Sequence, residues 1–507
     1  MSSLFTFFII LKGFLNFNVL FTMALATAIG MIVGAMPGLT ATLAIGLLTG
    51  LTFGLEKWAA FNILVGVYVG AMFGGSLSAI LLNIPGTGSA SATVLDGYPL
   101  SRQGKAYTAI GLSRIGAFFG TLVGFLFLVT IAPWMIRAVL NFTSFELATL
   151  ALFAILVAGT VSSPDLPIKG WIGGLFGLLL SSIGEEAIWS YDRFTYGIMG
   201  LTTGIPLIPA LIGFFGIPQI IKILSNPRRF KPQRGGEEEV GIIGQFKLSF
   251  KYLLTIIRSG VIGAAVGSIP GIGGKVAAWL AYEAAYKSSR EKEKFGKGAY
   301  EGVIAPETAN NACCGGALIP TLTLGIPGDP PTAVFLAALM LHGVTPGPLL
   351  NIEHPDFIFQ MAALVLIASF MVFILGIAIA RPVSKILEIP PAVFMPMVAV
   401  ICIVGGYALH TRVFDVFLLF IFGIIGYFLT EMRYHPAPIV LGLLLGHILD
   451  TNLRRALMTS NGSILPFFTR PICLVFVLAS IYMVISQTSF WRRIWKKEGK
   501  KAISKIE

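Results

Sequence analysis

Long uncharged apolar runs are the feature that most limits what this chain can fold into. Residues 117–136 and 357–380 contain no charged side chain. Each run is long enough to cross the hydrocarbon core of a bilayer, which takes about 20 helical residues. Backbone groups inside lipid must bond to one another, and a continuous apolar run achieves this as a helix. Counting such runs gives roughly 11 to 14 membrane-embedded segments. The sequence therefore predicts an all-α polytopic membrane protein.

The composition supports this class and limits what the positive charge can mean. Hydrophobic residues make up 55% of the chain and charged residues 12%, whereas a soluble chain carries about 25% charged residues. The net charge of +12 concentrates in residues 222–251, 287–297 and 492–505. Basic clusters beside membrane spans follow the positive-inside rule. We therefore place all three in the cytoplasm and expect no nucleic-acid partner.

The N-terminal apolar run and the four cysteines are both expected to have structural roles. The apolar run over residues 14–35 has no internal break, so we expect a retained first span rather than a cleaved signal peptide. Cys313, Cys314, Cys402 and Cys473 lie in apolar segments without metal-ligand spacing. We expect them to be packing residues rather than a redox or metal site.

Two sequence elements recur in the same order, which indicates an internal duplication. GAMPGL at 34–39 returns as GSIPGI at 267–272, and GGSLSAILLNIPG at 74–86 returns as GGALIPTLTLGIPG at 315–328. The separations are 233 residues for the first element (267 minus 34) and 242 for the Pro-Gly of the second (327 minus 85). The predicted regions are a first membrane repeat (1–221), a polar cytoplasmic linker (222–251), a second membrane repeat with additional C-terminal spans (252–488) and a basic cytoplasmic tail (489–507).

Loop charges predict that the two repeats have opposite topology. The basic loop of the first repeat follows its Ile-Pro-Gly, at Arg102 and Lys105, whereas that of the second repeat precedes it, at 287–297. Inverted repeats are a common construction of secondary transporters. Arg454 and Arg455, which this topology places outside, count against it.

The Pro-Gly elements interrupt helices where lipid-facing helices should continue. Proline removes an N–H group and glycine permits a sharp reversal, so each element predicts a broken helix or a re-entrant hairpin. Irregular backbone at membrane depth is tolerated only where protein or a water-filled cavity surrounds it. A half-helix that starts at such a break suits a carboxylate, and the exposed carbonyls and hydroxyls suit Na⁺. The alternative is that Gly and small polar residues merely allow close helix packing.

Polar residues around the breaks are the candidate binding residues. Asn83, Asn310 and Asn311 are candidate Na⁺ ligands. The candidate substrate site comprises Pro37, Gly38, Thr40, Asn83, Pro85, Gly86, Thr87, Ser89, Pro270, Gly271, Lys275, Asn310, Asn311, Pro327, Gly328 and Asp329.

The ionisable residues near the breaks allow more than one interpretation. An intramembrane charge is costly enough to indicate function. Lys275 would pair with an anionic substrate, neutralise Glu307 or lie at the aqueous boundary. Asp329 would serve a cation or proton, or cap a helix. Asp96 is expected in a surface turn beside Arg102.

The ordered motifs resemble the large membrane subunit, TctA, of the bacterial tripartite tricarboxylate transporters. The resemblance covers nearly the whole chain. Its motifs are GAMPGLTATLAI (34–45), GGSLSAILLNIPGTGSASATVLDGYPLSRQGKA (74–106), GSIPGIGGKVAAWLAYEAA (267–285), FGKGAYEGVIAPETANNACCGGALIPTLTLGIPGDPPTAV (295–334), HGVTPGPLL (342–350) and PIVLGLLLGHILDTNLRRAL (438–457).

This resemblance implies a cation-coupled importer of small carboxylates in the bacterial inner membrane. It implies Na⁺ or H⁺ as the coupling ion, with no other cofactor. It also implies a small membrane subunit and a periplasmic solute-binding protein that delivers the ligand. By analogy with other carriers built from inverted hairpins, we expect elevator-like alternating access.

A polytopic membrane enzyme and a channel are the alternatives. The chain contains no His-Glu-x-x-His and no Gly-x-Ser-x-Gly. An intramembrane aspartyl protease would need Gly-x-Gly-Asp, but Ile326 precedes Pro327-Gly328-Asp329 where Gly is required. Duplicated broken helices favour a carrier over a channel. The sequence therefore favours a transporter that is not an enzyme.

Overall fold

The protein is built almost entirely of α-helices. The computed structural model describes residues 3–163, 166–225, 231–232, 239–408 and 411–487. Within these ranges eight helices are long and apolar enough to cross a membrane, or up to ten if each of two sharply bent helix pairs is one span. Shorter apolar helices of 10–17 residues accompany them, some of them bounded by the Pro-Gly breaks. The predicted all-α polytopic membrane protein is confirmed, with fewer full-length spans than the embedded segments counted in the sequence.

The first part of the chain contains ten helices among its described residues. They are α1 (Ser3–Phe14), α2 (Phe17–Ala35), α3 (Ala41–Thr52), α4 (Lys57–Leu82), α5 (Val94–Arg102), α6 (Ala106–Val139), α7 (Ser144–Ser162), α8 (Pro167–Ser181), α9 (Met199–Thr202) and α10 (Leu207–Ser225), with a 3₁₀ turn at Gly88–Ser91 and a hairpin of β1 (Gly184–Glu185) and β2 (Asp192–Arg193).

The second part continues the series. Its helices are α11 (Ile242–Lys251), α12 (Leu253–Gly267), α13 (Gly273–Ser288), α14 (Glu301–Leu324), α15 (Pro330–Leu341), α16 (Leu350–Glu353), α17 (Phe357–Ile379), α18 (Pro382–Glu388), α19 (Pro391–Ala408), α20 (Val413–Glu431), α21 (Pro436–Thr459), α22 (Pro466–Thr469) and α23 (Pro471–Ser486), with a 3₁₀ turn at Lys292–Lys294.

The helices form two compact units. The larger unit comprises Met1–Leu140 with Pro206–Phe428, and the smaller unit comprises Asn141–Ile205 with Leu429–Glu507, over their described residues. All four Pro-Gly breaks lie in the larger unit. The division at 222–251 stays a prediction, although α11 shows that part of the expected linker is helical. The predicted tail 489–507 lies outside the described residues.

Helices α2 and α4 pack closely because glycine lets their backbones approach. A Cβ atom at Gly30 would lie 2.5 Å from the carbonyl oxygen of Val67, and one at Gly34 would lie 2.2 Å from that of Ala71. Real side chains do not tolerate such distances, so both positions require glycine. Moving four residues toward the C-terminus of α2 moves the contact four residues toward the C-terminus of α4, so the two helices run parallel.

Helices α12 and α14 repeat this packing in the second half. A Cβ atom at Gly263 would lie 2.2 Å from the carbonyl oxygen of Ala309, and one at Gly267 would lie 2.8 Å from that of Cys313. Gly263 and Gly267 follow Gly30 and Gly34 by 233 residues, and their partners follow Val67 and Ala71 by 242 (309 minus 67, 313 minus 71). These are the two separations found in the sequence. The duplicated motifs therefore form the same local packing, while the inversion of topology stays a prediction.

Each half packs one of its short helices against the other half. Helix α3 lies along α15, where Gly46 faces Val334 and the Thr52 hydroxyl lies 3.4 Å from Nε2 of His342. Helix α13 lies along the turn Gly88–Ser91 that precedes α5. Each half thus packs the helix that follows its first Pro-Gly element against the segment that follows the Ile-Pro-Gly of the other half.

The smaller unit is held by ion pairs as well as apolar packing. Arg470 contacts Glu146 at 2.8 Å, and Arg454 contacts Asp450 at 2.9 Å. Arg454 and Arg455 still count against the predicted inversion, because acidic neighbours contribute little to the positive-inside rule.

Candidate functional site at the Pro-Gly tips

Both Ile-Pro-Gly segments follow a helix that ends in a left-handed residue. Asn83 ends α4 with φ 60°, and Gly325 ends α14 with φ 69°. Glycine and asparagine adopt this conformation most readily, so the backbone accounts for both residue types. We call residues 84–89 tip 1 and residues 326–329 tip 2.

The tip glycines are required by close backbone contacts. A Cβ atom at Gly86 would lie 2.1 Å from the carbonyl oxygen of Gly34, and one at Gly328 would lie 2.7 Å from that of Gly267. The Pro-Gly element at 267–272 also contacts tip 2, because the N–H of Gly271 donates to the carbonyl oxygen of Pro327 at 3.3 Å. Each tip therefore packs against the first Pro-Gly element of its own half, 34–39 or 267–272.

Tip 2 is fixed to α4 through Asp329. The hydroxyl of Tyr68 donates to Oδ2 of Asp329 at 2.8 Å, and both side chains are buried. The N–H of Thr332 donates to Oδ1 at 2.8 Å, so Asp329 is also the N-cap of α15. The predicted capping role is observed, and a role in binding a cation or proton stays a prediction.

The N-terminus of α13 meets both tips. A Cβ atom at Gly273 would lie 3.0 Å from Cβ of Asp329 in tip 2. One at Gly274 would lie 2.8 Å from Oδ1 of Asn310 and 3.5 Å from Cβ of Ser89 in tip 1. The first N–H groups of a helix lack helical partners and carry partial positive charge. This helix end is therefore placed to attract a negative group at the meeting point of the tips.

Three buried oxygens of α14 lie on one face of the helix. They are Oε2 of Glu307, Oδ1 of Asn310 and Oδ1 of Asn311, and none has a hydrogen-bond partner among the described residues. The other oxygen of Glu307 accepts from the hydroxyl of Thr93. The amide nitrogens of the two asparagines donate to the carbonyl oxygens of Met72 and Glu307, which fixes which atom of each amide is the free oxygen.

These oxygens give the site a defined chemistry. A buried acceptor without a donor costs about 1–3 kcal/mol, so such groups indicate a ligand or ion that completes them. Carboxylate and amide oxygens are ligands of hard cations. The part of the chain that the structure describes has no cluster of three or more His, Cys, Asp or Glu residues suited to a metal ion.

Lys275 projects from the first turn of α13 beside tip 1. Its Cδ lies 4.0 Å from the position of a Cβ atom at Gly88, and its side chain is exposed. It forms no ion pair with Glu307 or with any other described residue, and its substrate and aqueous-boundary roles stay predictions. The indole N–H of Trp279 donates to the hydroxyl of Ser91 at 3.0 Å and holds the same helix to the end of the turn Gly88–Ser91.

Some predicted residues lie apart from this group. Gly38 has φ 95° and its nearest neighbours are Ile223 and Gln219 of α10, while Thr40 caps α3 by accepting from the N–H of Leu43 at 3.2 Å. Asn83 is exposed, and its left-handed backbone explains it without a ligand role. Of the three asparagines predicted for Na⁺, only Asn310 and Asn311 share the buried face.

Asp96 was expected in a surface turn, and this prediction is wrong. Its side chain is fully buried and accepts from the N–H groups of Gly298 and Ala299 at 2.9 and 2.8 Å. The hydroxyl of Tyr282 donates to its second oxygen at 2.8 Å. Burial raises the pKa of Asp96 above its usual value, and the N–H donors oppose that rise. Asp96 thus anchors the loop that leads into α14.

Comparison with known proteins gives one family. The model of the tripartite tricarboxylate transporter TctA family matches residues 20–441. An uncharacterized 52.8 kDa protein of the TAR-I ttuC' 3' region of Agrobacterium vitis is 34% identical over 459 residues, which cover 90% of each chain. An uncharacterized protein of the TAR-II ttuC' 3' region of the same organism is 36% identical over 210 residues, covering 41% of this chain and 87% of that protein. No solved structure gives a significant match.

Proposed function

The chain belongs to the TctA family of tripartite tricarboxylate transporters, and we propose that it imports small di- or tricarboxylates across the bacterial inner membrane by secondary active transport. Membership of a transporter family argues against an enzyme. The observation that carries the proposal is the meeting of both tips with the N-terminus of α13 and the three free oxygens of α14.

The carboxylate is proposed to bind between tip 1 and α13. Three features support this position: the partial positive charge of the helix N-terminus, the exposed ammonium group of Lys275, and the hydroxyls of Thr87 and Ser89. The two hydroxyls lie 3.1 Å apart and are nearly buried. A carboxylate there would accept charge-assisted hydrogen bonds.

The coupling ion is proposed to bind at the face of α14 formed by Glu307, Asn310 and Asn311. Their free oxygens suit Na⁺, and Glu307 alone would suit H⁺. Gly274 lies next to both Asn310 and Ser89, so the cation and the carboxylate would both bind beside this residue. Each of the two would then complete the surroundings of the other. Such mutual completion is a coupling free energy between two sites.

Alternating access would move the tips relative to the rest of the protein. Tip 2 is buried, whereas tip 1 is exposed at Gly88, so a ligand delivered from the periplasm needs a rearrangement that exposes tip 2. The packing of each half against the other supports a symmetric pair of access states, and we favour an elevator-like displacement. The tripartite system also implies a small membrane subunit and a periplasmic solute-binding protein as partners.

Uptake into vesicles tests the proposal. The vesicles would contain this chain with its small membrane subunit and a loaded binding protein, and uptake of labelled citrate and other di- and tricarboxylates would be measured with and without a Na⁺ or H⁺ gradient. We expect gradient-dependent uptake that is lost with Pro327→Ala and reduced with Lys275→Gln. Lys292→Gln, an exposed lysine on a surface turn, is the control. Absence of carboxylate uptake by the intact complex would refute the proposed substrate class.

A further inference from the structure

A cavity of about 640 Å³ lies in the larger unit between the first turns of α6 and α11 and the end of α17. Its polar lining includes Arg114, Glu239, Gln245 and Arg381. The candidate transport site contributes none of its lining residues. The cavity therefore needs an explanation of its own.

Arg114 is a buried cation without a carboxylate partner among the described residues. Only 2% of its surface is exposed, and its single hydrogen bond among the described residues runs from Nη2 to Oε1 of Gln245 at 3.1 Å. Its Nε has no acceptor in the part of the chain that the structure describes, and its guanidinium lies 5.1 Å from the ring centre of Phe373. Burying an unpaired charge is expensive, so this arrangement indicates an anion that completes it.

Glu239 does not neutralise Arg114, although both line the cavity. Its carboxylate accepts from the N–H groups of Tyr107 and Thr108 at 2.9 and 2.7 Å, and from the Thr108 hydroxyl at 2.7 Å. It is thus committed to the N-terminus of α6, whose partial positive charge it balances. The guanidinium groups of Arg114 and Arg381 remain to attract an anion.

We propose that this cavity binds the phosphate of an anionic phospholipid headgroup. Guanidinium groups suit phosphate because their N–H donors match two of its oxygens. Ile242, Ile377 and Ala378 line the same cavity and give it an apolar side, which suits the glycerol and the first acyl carbons rather than a small soluble anion. The cavity also lies where the span α17 ends, the level at which headgroups occur.

A bound headgroup would connect three separate segments. Arg114 lies on α6, Gln245 on α11 and Arg381 just after α17. Gln245 already joins α11 to α6, because its amide nitrogen donates to the carbonyl oxygen of Tyr107 at 3.3 Å. The lipid would therefore slow the opening of residues 239–250 and leave the tips unaffected.

Lipid binding to the purified full-length chain tests this site. The delipidated protein would receive phosphatidylglycerol, phosphatidylethanolamine, inorganic phosphate or citrate, with retained lipid measured by native mass spectrometry and opening of residues 239–250 by hydrogen exchange. We expect phosphatidylglycerol alone to be retained and to slow exchange. Arg381→Gln should weaken this binding roughly tenfold, because one charge-assisted contact is lost.

The control variants separate binding from folding. Arg381 and Arg290 are both exposed, so Arg381→Gln and Arg290→Gln should fold equally well, and only the first should affect binding. Arg114→Lys keeps the charge but loses the planar donors, and should also weaken binding. Equal retention of both lipids, or unchanged binding in Arg381→Gln and Arg114→Lys, would overturn the proposal. Slowed exchange with phosphate or citrate but not with lipid would overturn the lipid as the ligand.

Discussion

The hydroxyl of Tyr68 donates a 2.8 Å hydrogen bond to Oδ2 of Asp329, although 261 residues separate the two in sequence. Tyr68 lies within α4 of the first half, and Asp329 begins α15 of the second. The bond therefore ties the long buried helix of one half to the tip of the other. A separation of 242 residues relates Tyr68 to Asn310 and Thr87 to Asp329 (310 minus 68, 329 minus 87), so each half supplies an α-helical polar group and a tip residue to this region.

Removing the Tyr68 hydroxyl should weaken tip 2. In Tyr68→Phe, Oδ2 of Asp329 loses its donor inside a buried region, which costs about 1–3 kcal/mol. We expect a lower thermal unfolding temperature of the purified protein and reduced carboxylate uptake. Tyr286→Phe is the matched control, because Tyr286 is 45% exposed. Equal behaviour of the two variants would show that the bond does not hold the tip.

A methyl group at Gly86 or Gly328 should destabilise the folded protein far more than a methyl group at Gly88. A Cβ atom at Gly86 would lie 2.1 Å from a carbonyl oxygen, and one at Gly328 would lie 2.6 Å from Cα of Ala317. Overpacking costs about 1–3 kcal/mol and more where backbone must shift, so Gly86→Ala and Gly328→Ala should lower the yield of folded protein sharply. Gly88→Ala, whose Cβ would meet nothing nearer than 4.0 Å, is the control in the same tip. Folded yields that do not separate the three variants would contradict the packing.

The breaks could be predicted from sequence because their signals are local. Proline and glycine inside apolar runs indicate reversals, and the duplicated order of motifs indicates the separations of 233 and 242 residues that recur in the packing. Asn310 and Asn311 could also be predicted, since amides are costly in an apolar helix. Asn83 shows the limit of this reasoning, because its left-handed backbone accounts for an asparagine there and its ligand role stays a prediction.

Contacts between the halves could not be predicted from these patterns. Tyr68 lies in an apolar helix without a break, so no local signal distinguishes it from a packing residue. Asp96 lies near Arg102 in sequence, which suggested a surface turn, whereas its partners Gly298 and Ala299 come from the other half. The sequence signal that indicates Tyr68 is the repeat separation: Tyr68 lies 242 residues before Asn310, so it occupies the equivalent position in the first half.

The free oxygens of α14 predict which variants change the dependence of uptake on Na⁺ or on pH. Under Na⁺ coupling, Asn311→Ala removes one ligand and should raise the Na⁺ concentration for half-maximal uptake roughly tenfold. Under H⁺ coupling, Glu307→Gln should abolish the response of uptake to a pH gradient, while Asn311→Ala should not. Initial uptake rates against Na⁺ and pH distinguish these cases. Asn18→Ala, at an exposed asparagine, is the control. No change in either variant would exclude this face of α14 as the coupling site.

Asp96 should make the stability of the protein depend on pH in a defined direction. Its folded-state pKa is raised above the usual 3.8, mainly by burial. The folded protein therefore holds a proton that the unfolded chain releases at lower pH. This contribution is fully present below the unfolded pKa and is lost as the pH rises through the folded pKa.

Asp96→Asn should remove that contribution while keeping the size of the side chain. Unfolding temperatures of wild type and variant, measured in steps upward from about pH 4, should show a wild-type decline that is shallower in Asp96→Asn. The variant still offers one oxygen to the N–H groups of Gly298 and Ala299, so it should fold. Asp356→Asn, at an exposed aspartate, should follow the wild type. An amide cannot titrate, so replacing the Asp96 carboxylate must remove its contribution to the pH dependence of the unfolding temperature. If Asp96→Asn and Asp356→Asn have the same pH profile, the charge of Asp96 does not govern this part of the stability.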